Sequence, residues 1–309
     1  MNWKICGLSV LLLLQQQLYA NTPTGANAQH LKVYVQQIVG PMEYARNYKN
    51  IQELSRVSGW ISEQMRLFGI PCQKQTFNVN QYQYHNVVCR LNAGHKQKMI
   101  VGANYDVEGD HPGINHNASG VAGVIETARL LNLNKQQLKQ NVDFVFYSLA
   151  EAPFAKTEHM GSVRHAKSLL GKDEVTQAVY VLDKIGRFST EAVQQYPIGM
   201  KWMYPSHANF IAVVSNIGSR ELSRQYCEAM QQLNKLDCER FVVTNWVENF
   251  ESADHLSYWQ QGIPAALITD TGSFREQQRY RPEDELKQLN YAKMAMVVNG
   301  LVQTILKQK

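Results

Sequence analysis

The stretch GANYDVEGDHPGINHNASG, residues 102–120, lies between an apolar run typical of a strand and an apolar run typical of a helix. A loop this rich in Gly, Asn and Asp usually holds a charged partner. The backbone N–H groups that open the helix at Asn117-Ala118-Ser119-Gly120 favour negative charge beside them. Yet Asn104 and His116 stand where carboxylate or imidazole ligand chemistry is expected. Two further stretches, Ala150-Glu151-Ala152 and Asp183, put acids at the ends of apolar runs. Asp254-His255, with Ser252 nearby, invites a hydrolase reading. A nucleophilic serine usually needs a strained elbow such as G-x-S-x-G, however, and the sequence contains none.

These groups can meet only if the intervening elements bring them to one edge. Leu31, Val35, Ile38, then Ile51, Leu54, Val57 and Ile61 recur at helical spacing and predict two helices before any strand. Short β-rich runs then alternate with amphipathic ones, predicting strands over 75–79, 86–91, 99–105, 142–149, 178–182, 210–214 and 265–268. Helices are predicted over 119–131, 161–170, 219–233, 254–261 and 283–307. Such alternation indicates an α/β fold, a three-layer sandwich with a mixed, mostly parallel sheet flanked by helices. Chemistry in these sheets sits beyond the carboxyl ends of the strands. The strand ends before the opening loop, before Glu151 and before Asp183 therefore converge.

The first twenty residues read as an export leader: Lys4 supplies a positive charge, Ile5 to Leu14 an apolar stretch, and Leu18-Tyr19-Ala20 a cleavage site. Residues 21–309 then form one expected domain, exported to the periplasm or beyond the cell. No later stretch approaches the ~18 consecutive apolar residues of a membrane span. The formal charge of +5 is spread without a basic run, which argues against nucleic acid as a partner. Four cysteines follow the leader, Cys72, Cys89, Cys227 and Cys238, and locality favours pairing the first two and the last two. None of them forms the C-x2-C spacing of a zinc site.

At its loops the chain resembles the secreted zinc aminopeptidases of metallopeptidase family 28, the bacterial leucyl aminopeptidase type. The matching stretches are NYD (104–106), GINHNASG (113–120), AEAPFAKTEHMGS (150–162), LDKIG (182–186), SADHLSYW (252–259) and RYRPED (279–284), in the family's order. The resemblance implies a zinc-exopeptidase fold and two zinc ions sharing a bridging carboxylate. Carried over by position, a family His falls on Asn104, the bridging Asp on His116, a retained Asp on Asp183 and the last His on Tyr280. A gap-free alignment of Pro153, Phe154, Thr157, Met160, Gly161 and Ser162 puts Glu151 at a metal-ligand position and Ala150 at the general-base position. A compact alignment makes Glu151 the base instead.

A two-metal site needs a bridging anion, and a neutral imidazole offers one lone pair to one metal. The resemblance thus implies an impaired aminopeptidase homologue that binds no zinc or one weakly held zinc. The alternative it leaves open is an active single-zinc enzyme using His116, Glu151 and Asp183. Asp106, Asp254, His255, Arg275, Arg279 and Arg281 are assigned to the cleft. Its ligand is expected to be a peptide or protein N-terminus, or an anion drawn by Arg279 and Arg281.

Overall fold

The computed structural model describes residues 25–40, 44–196, 201–233, 236–243, 254–275 and 286–308. Strands form where β-branched and aromatic residues cluster between turn residues. β1 (Cys72–Val79) and β2 (Tyr82–Leu91) pair as an antiparallel hairpin, and β2 lies antiparallel to β4 (Asn141–Tyr147). β3 (Gln97–Asn104), β4, β5 (Val175–Leu182) and β8 (Ala265–Thr269) run parallel. β6 (Phe210–Asn216) returns antiparallel to β8, with β7 (Asp237–Val243) parallel beside it at the edge. The spatial order of the eight strands is β1-β2-β4-β3-β5-β8-β6-β7.

Helices cover both faces. α1 (Ala28–Val39), α2 (Ile51–Leu67), α3 (Gly120–Leu133), α5 (Arg220–Leu233) and α7 (Tyr291–Leu306) share one apolar core with the sheet. α4 (Gly161–Ser168) and α6 (His255–Trp259) pack on the opposite face through Ala166 and Tyr258. The result is the three-layer sandwich with a mixed central sheet. Every residue of β4 is buried, as a strand covered on both faces must be.

Two elements differ from the sequence reading. β7 is an edge strand in which Phe241 alone is buried, so it shows neither alternation nor an apolar run. The last helix starts at Tyr291, because the Asn290 side chain accepts the Lys293 N–H and caps it there. Upstream, Leu286–Gln288 forms a separate 3-10 turn.

Both local disulfides form. Cys72–Cys89 joins directly paired residues of β1 and β2, and Cys227–Cys238 ties α5 to β7. No helix among the described residues is long and apolar enough to cross a membrane. The leader (1–20), Ser252, Arg279, Tyr280 and Arg281 lie outside the described residues.

Candidate functional site

Beyond Asn104 the chain turns into the loop that carries His116, and a buried arginine holds it. Arg46, between α1 and α2, donates from Nε to Tyr105 O (2.8 Å) and from Nη2 to Gly113 O (2.7 Å), with Nη1 on Pro112 O. Asn47 Nδ2 donates to Gly109 O at 2.7 Å. Gly113 takes a left-handed φ of 57°, and a Cβ there would meet Val107 Cγ1 at 2.2 Å. Only glycine fits this corner.

The strand ends are then tied by one side chain. Asn117 Nδ2 donates to Asn104 Oδ1 (2.9 Å) and Leu182 O (2.8 Å), while Asn117 Oδ1 accepts from Gly120 N (3.1 Å) and Lys184 N (3.0 Å). Two donors and two accepted bonds saturate the amide. Asn104, where the resemblance expects a ligand histidine, is thereby an internal hydrogen-bonding residue, its own Nδ2 donating to Asp106 O at 3.2 Å.

Glu151, His116 and Asp183 come together on this frame. His116 Nε2 lies 2.9 Å from Glu151 Oε1 and 3.6 Å from Asp183 Oδ1. A carboxylate only accepts, so Nε2 carries the proton and donates to Glu151. The far oxygen of Asp183 accepts from Lys184 Nζ at 2.9 Å. Burial pushes the Glu151 carboxyl up, but the charge and hydrogen bond of His116, with the charge of Lys184, outweigh it and hold its pKa below the ordinary value. Beneath them Asp106 accepts from Ala150 N (3.2 Å) and Glu151 N (3.1 Å). Its burial and the charge of Glu151 push its pKa up to about 7 despite those bonds.

The other cleft assignments fall inside the protein. Asp106, Asp254, His255 and Arg275 are all buried. Burial raises Asp254 well above the ordinary carboxylate value, with Asp106, Asp183 and Glu151 adding to the shift against a Ser162 hydrogen bond. His255, whose ring nitrogens have no hydrogen-bond partner among the described residues, is pushed down to about 3 by burial and packs edge-on against Trp259. Arg275 turns inward, its Nε donating to Gln194 Oε1 (3.1 Å), Nη1 to Arg187 O (2.6 Å) and Nη2 to Phe210 O (2.9 Å). It braces the loop after β8 against β6, because burying an arginine requires carbonyl acceptors and this corner supplies them.

Zinc does not fit this donor arrangement. Neighbouring ligand atoms of a tetrahedral zinc stand about 3.3 Å apart with lone pairs facing the metal. Here an N–H points at Glu151 across a hydrogen-bond distance of 2.9 Å, and an ammonium sits on Asp183. Among the described residues no group of three or more His, Cys, Asp and Glu side chains is arranged to hold a metal ion. Sequence reasoning missed Lys184, Asn117 and Arg46. A lone lysine inside VYVLDKIG, at the end of a strand that otherwise stays apolar, was the available signal for the first. Asn117 was visible only as a helix opening, and nothing local marks Arg46.

Residues 86–305 match peptidase family M28. The uncharacterized protein YfbL of Escherichia coli (strain K12) is 34% identical over 302 residues, covering 94% of this chain and 91% of that protein. Among solved structures, the Legionella pneumophila LapA aminopeptidase is similar with a TM-score of 0.69 at 16% identity, over 91% of this chain and 71% of that one. A leucine aminopeptidase precursor from Bacteroides thetaiotaomicron gives 0.66 at 17% identity, over 94% and 99% of the two chains. The glutaminyl cyclase of the same organism, bound to N-acetylhistamine, gives 0.67 at 18%, over 94% and 100%. At these identities the solved structures establish a shared fold.

Proposed function

The chain belongs to peptidase family M28, and on that premise we propose that it is a non-hydrolysing member whose strand-end site holds a peptide N-terminus, or another small ligand, without cleaving it. The observation that carries this reading is the His116 N–H lodged between Glu151 and Asp183. The proton on Nε2 is given to Glu151 at 2.9 Å, with Asp183 Oδ1 facing the same nitrogen from 3.6 Å, where metal chemistry needs open lone pairs. Ala150, at the position the gap-free alignment gives to the general base, has no group to accept a proton from water. Peptide ends are favoured as the ligand because structural neighbours of this fold are named as aminopeptidases and glutaminyl cyclases. An anionic ligand drawn by Arg279 and Arg281 is the other ligand class.

The experiment is a panel of aminoacyl nitroanilides and an N-terminal glutaminyl peptide, assayed with chelator and with added zinc, alongside calorimetric titration with short peptides. We expect no turnover above background in either condition and measurable peptide binding. The competing outcome is a single-zinc aminopeptidase on His116, Glu151 and Asp183, which the donor arrangement disfavours. Chelator-sensitive turnover that is lost in Glu151→Ala and Asp183→Ala would establish it and overturn the non-hydrolysing reading.

We also place the protein outside the cytoplasm, a reading supported by the two disulfides. Intact-mass analysis of protein recovered from the periplasm or medium should give a chain beginning at Asn21 with both bridges formed. A full-length chain with four free thiols would refute it.

A further inference from the structure

Lost ligands are only half of the chemistry at Asp183, since the residue after it brings a cation of its own. Lys184 has a left-handed φ of 56°, a conformation that a side chain with a Cβ rarely adopts without support. The support is explicit: its N–H donates to Asn117 Oδ1 at 3.0 Å and its carbonyl accepts from Asp270 N at 2.6 Å. Its side chain runs over Gly272, where a Cβ would meet Lys184 Cδ at 2.6 Å. Nζ ends 2.9 Å from Asp183 Oδ2, with both residues buried.

We infer that Lys184 is the residue that closes this site to divalent metal, acting as a built-in counter-ion on the carboxylate that a metal would need. Each oxygen of Asp183 faces a nitrogen of the chain, Nζ of Lys184 on one side and Nε2 of His116 on the other. A divalent ion entering between Glu151 and Asp183 would take Oδ1, on the His116 side, while the ammonium keeps Oδ2 of the same carboxylate and is held there by the backbone hydrogen bonds of its own residue. It would also meet that ammonium's charge at close range in a partly dehydrated site. Restoring a carboxylate at position 116 is therefore insufficient while Lys184 remains. The inference rests on the reading that the site works without its metal and deepens it. It can fail separately, because its test measures metal affinity in variants rather than turnover by the wild type.

The test compares wild type, His116→Asp, Lys184→Met, His116→Asp/Lys184→Met and His116→Asp/Lys184→Arg, titrated with zinc against a chromophoric chelator. Cobalt(II) absorption reports whether a bound ion sits in a tetrahedral site. Circular dichroism and thermal melts establish that each variant folds, and His116→Asp/Lys184→Gln stands in if the methionine double variant does not. The expected result is one zinc bound at least about tenfold more tightly by the methionine double variant than by either single variant, with the arginine double variant no better than His116→Asp. Zinc binding by His116→Asp as tight as by the double variant overturns the inference. So does a double variant that binds no better than wild type. Loss of fold in both neutral double variants while the singles fold also overturns it, since Lys184 would then be holding the structure rather than excluding metal.

Discussion

The two edges of the parallel strands solve the same problem, buried charge at a chain reversal, in opposite ways. At the amino edge, Lys98 Nζ contacts Asp143 Oδ2 at 2.7 Å and Glu174 Oε2 at 3.4 Å, and Arg90 pairs with Glu174. Lys98, Asp143 and Arg90 are strand residues held by sheet register, and left-handed corners at this edge fall on glycines: Gly69, Gly94, Gly171 and Gly262. At the carboxyl edge the charges hang on loops, and the left-handed residues include Asn80, Leu149, Lys156, Lys184 and Thr271. A left-handed residue with a Cβ costs about 1–2 kcal/mol. The molecule tolerates that cost at the edge where the site is assembled and avoids it where the network is structural, the distribution expected when strain serves positioning.

The largest effect that would break this contrast is at the amino edge. Asp143→Ala leaves Lys98 buried beside a more distant partner and should lower the unfolding free energy by about 3–5 kcal/mol in urea titration. Asp183→Ala, on a loop, should cost less than half of that. Equal losses would erase the distinction between structural and positional charge.

A second test uses pH, where the two sides carry opposite signs. Burial and Glu151 push Asp106 up from 3.8 to about 7, so its contribution to stability is greatest in acid and is lost as pH rises toward 7. Burial and the charge of Lys98 push His165 down from 6.5 to about 3, so its contribution is present above 6.5 and lost as pH falls. Between pH 3.8 and 6.5, Asp106→Asn should therefore steepen the rise of stability with pH, and His165→Gln should flatten it. Each slope should change by up to about one bound proton. Unchanged slopes in urea midpoints measured across that window would show that neither group carries its shift.

The smallest expected effects sharpen the backbone half of the comparison. Lys156 is exposed with a φ of 63°, so Lys156→Gly should stabilise by about 1 kcal/mol. Gly171 has a φ of 69° and open space around it, so Gly171→Ala should destabilise by about the same amount. Thermal melts showing the same sign for both substitutions would remove strain from the account.

The sandwich was legible because its central strands are apolar along their whole length and its helices repeat at helical spacing, signals that burial on two faces writes directly into sequence. β7 was not, since an edge strand with one buried residue carries no period. At the site, the convergence of Glu151, Asp183 and His116 followed from the rule about strand ends. What each group does there did not follow, because it depends on neighbours far away in the chain or on backbone conformation. Arg275 looks like a surface cation beside a cleft until Gln194, Arg187 and Phe210 appear as its acceptors. The Lys184 ammonium reaches Asp183 through a left-handed φ that no propensity announces at a lysine.

The arginine that grips the site loop also decides where this protein can be cut. The family match begins at Asn86, which makes a fragment starting there look like a self-sufficient unit. Arg46 lies forty residues earlier and closes the loop over Tyr105, Pro112 and Gly113. Leu31, Val35 and Ile38 of α1 belong to the same apolar core as α3, and Asn27 N donates to the buried Glu126 carboxylate at 2.9 Å. A shortened fragment would lose the lock on its site loop together with one wall of its core. The leading segment is thus a structural part of the site's frame, and any expression or domain-grafting design has to carry it along.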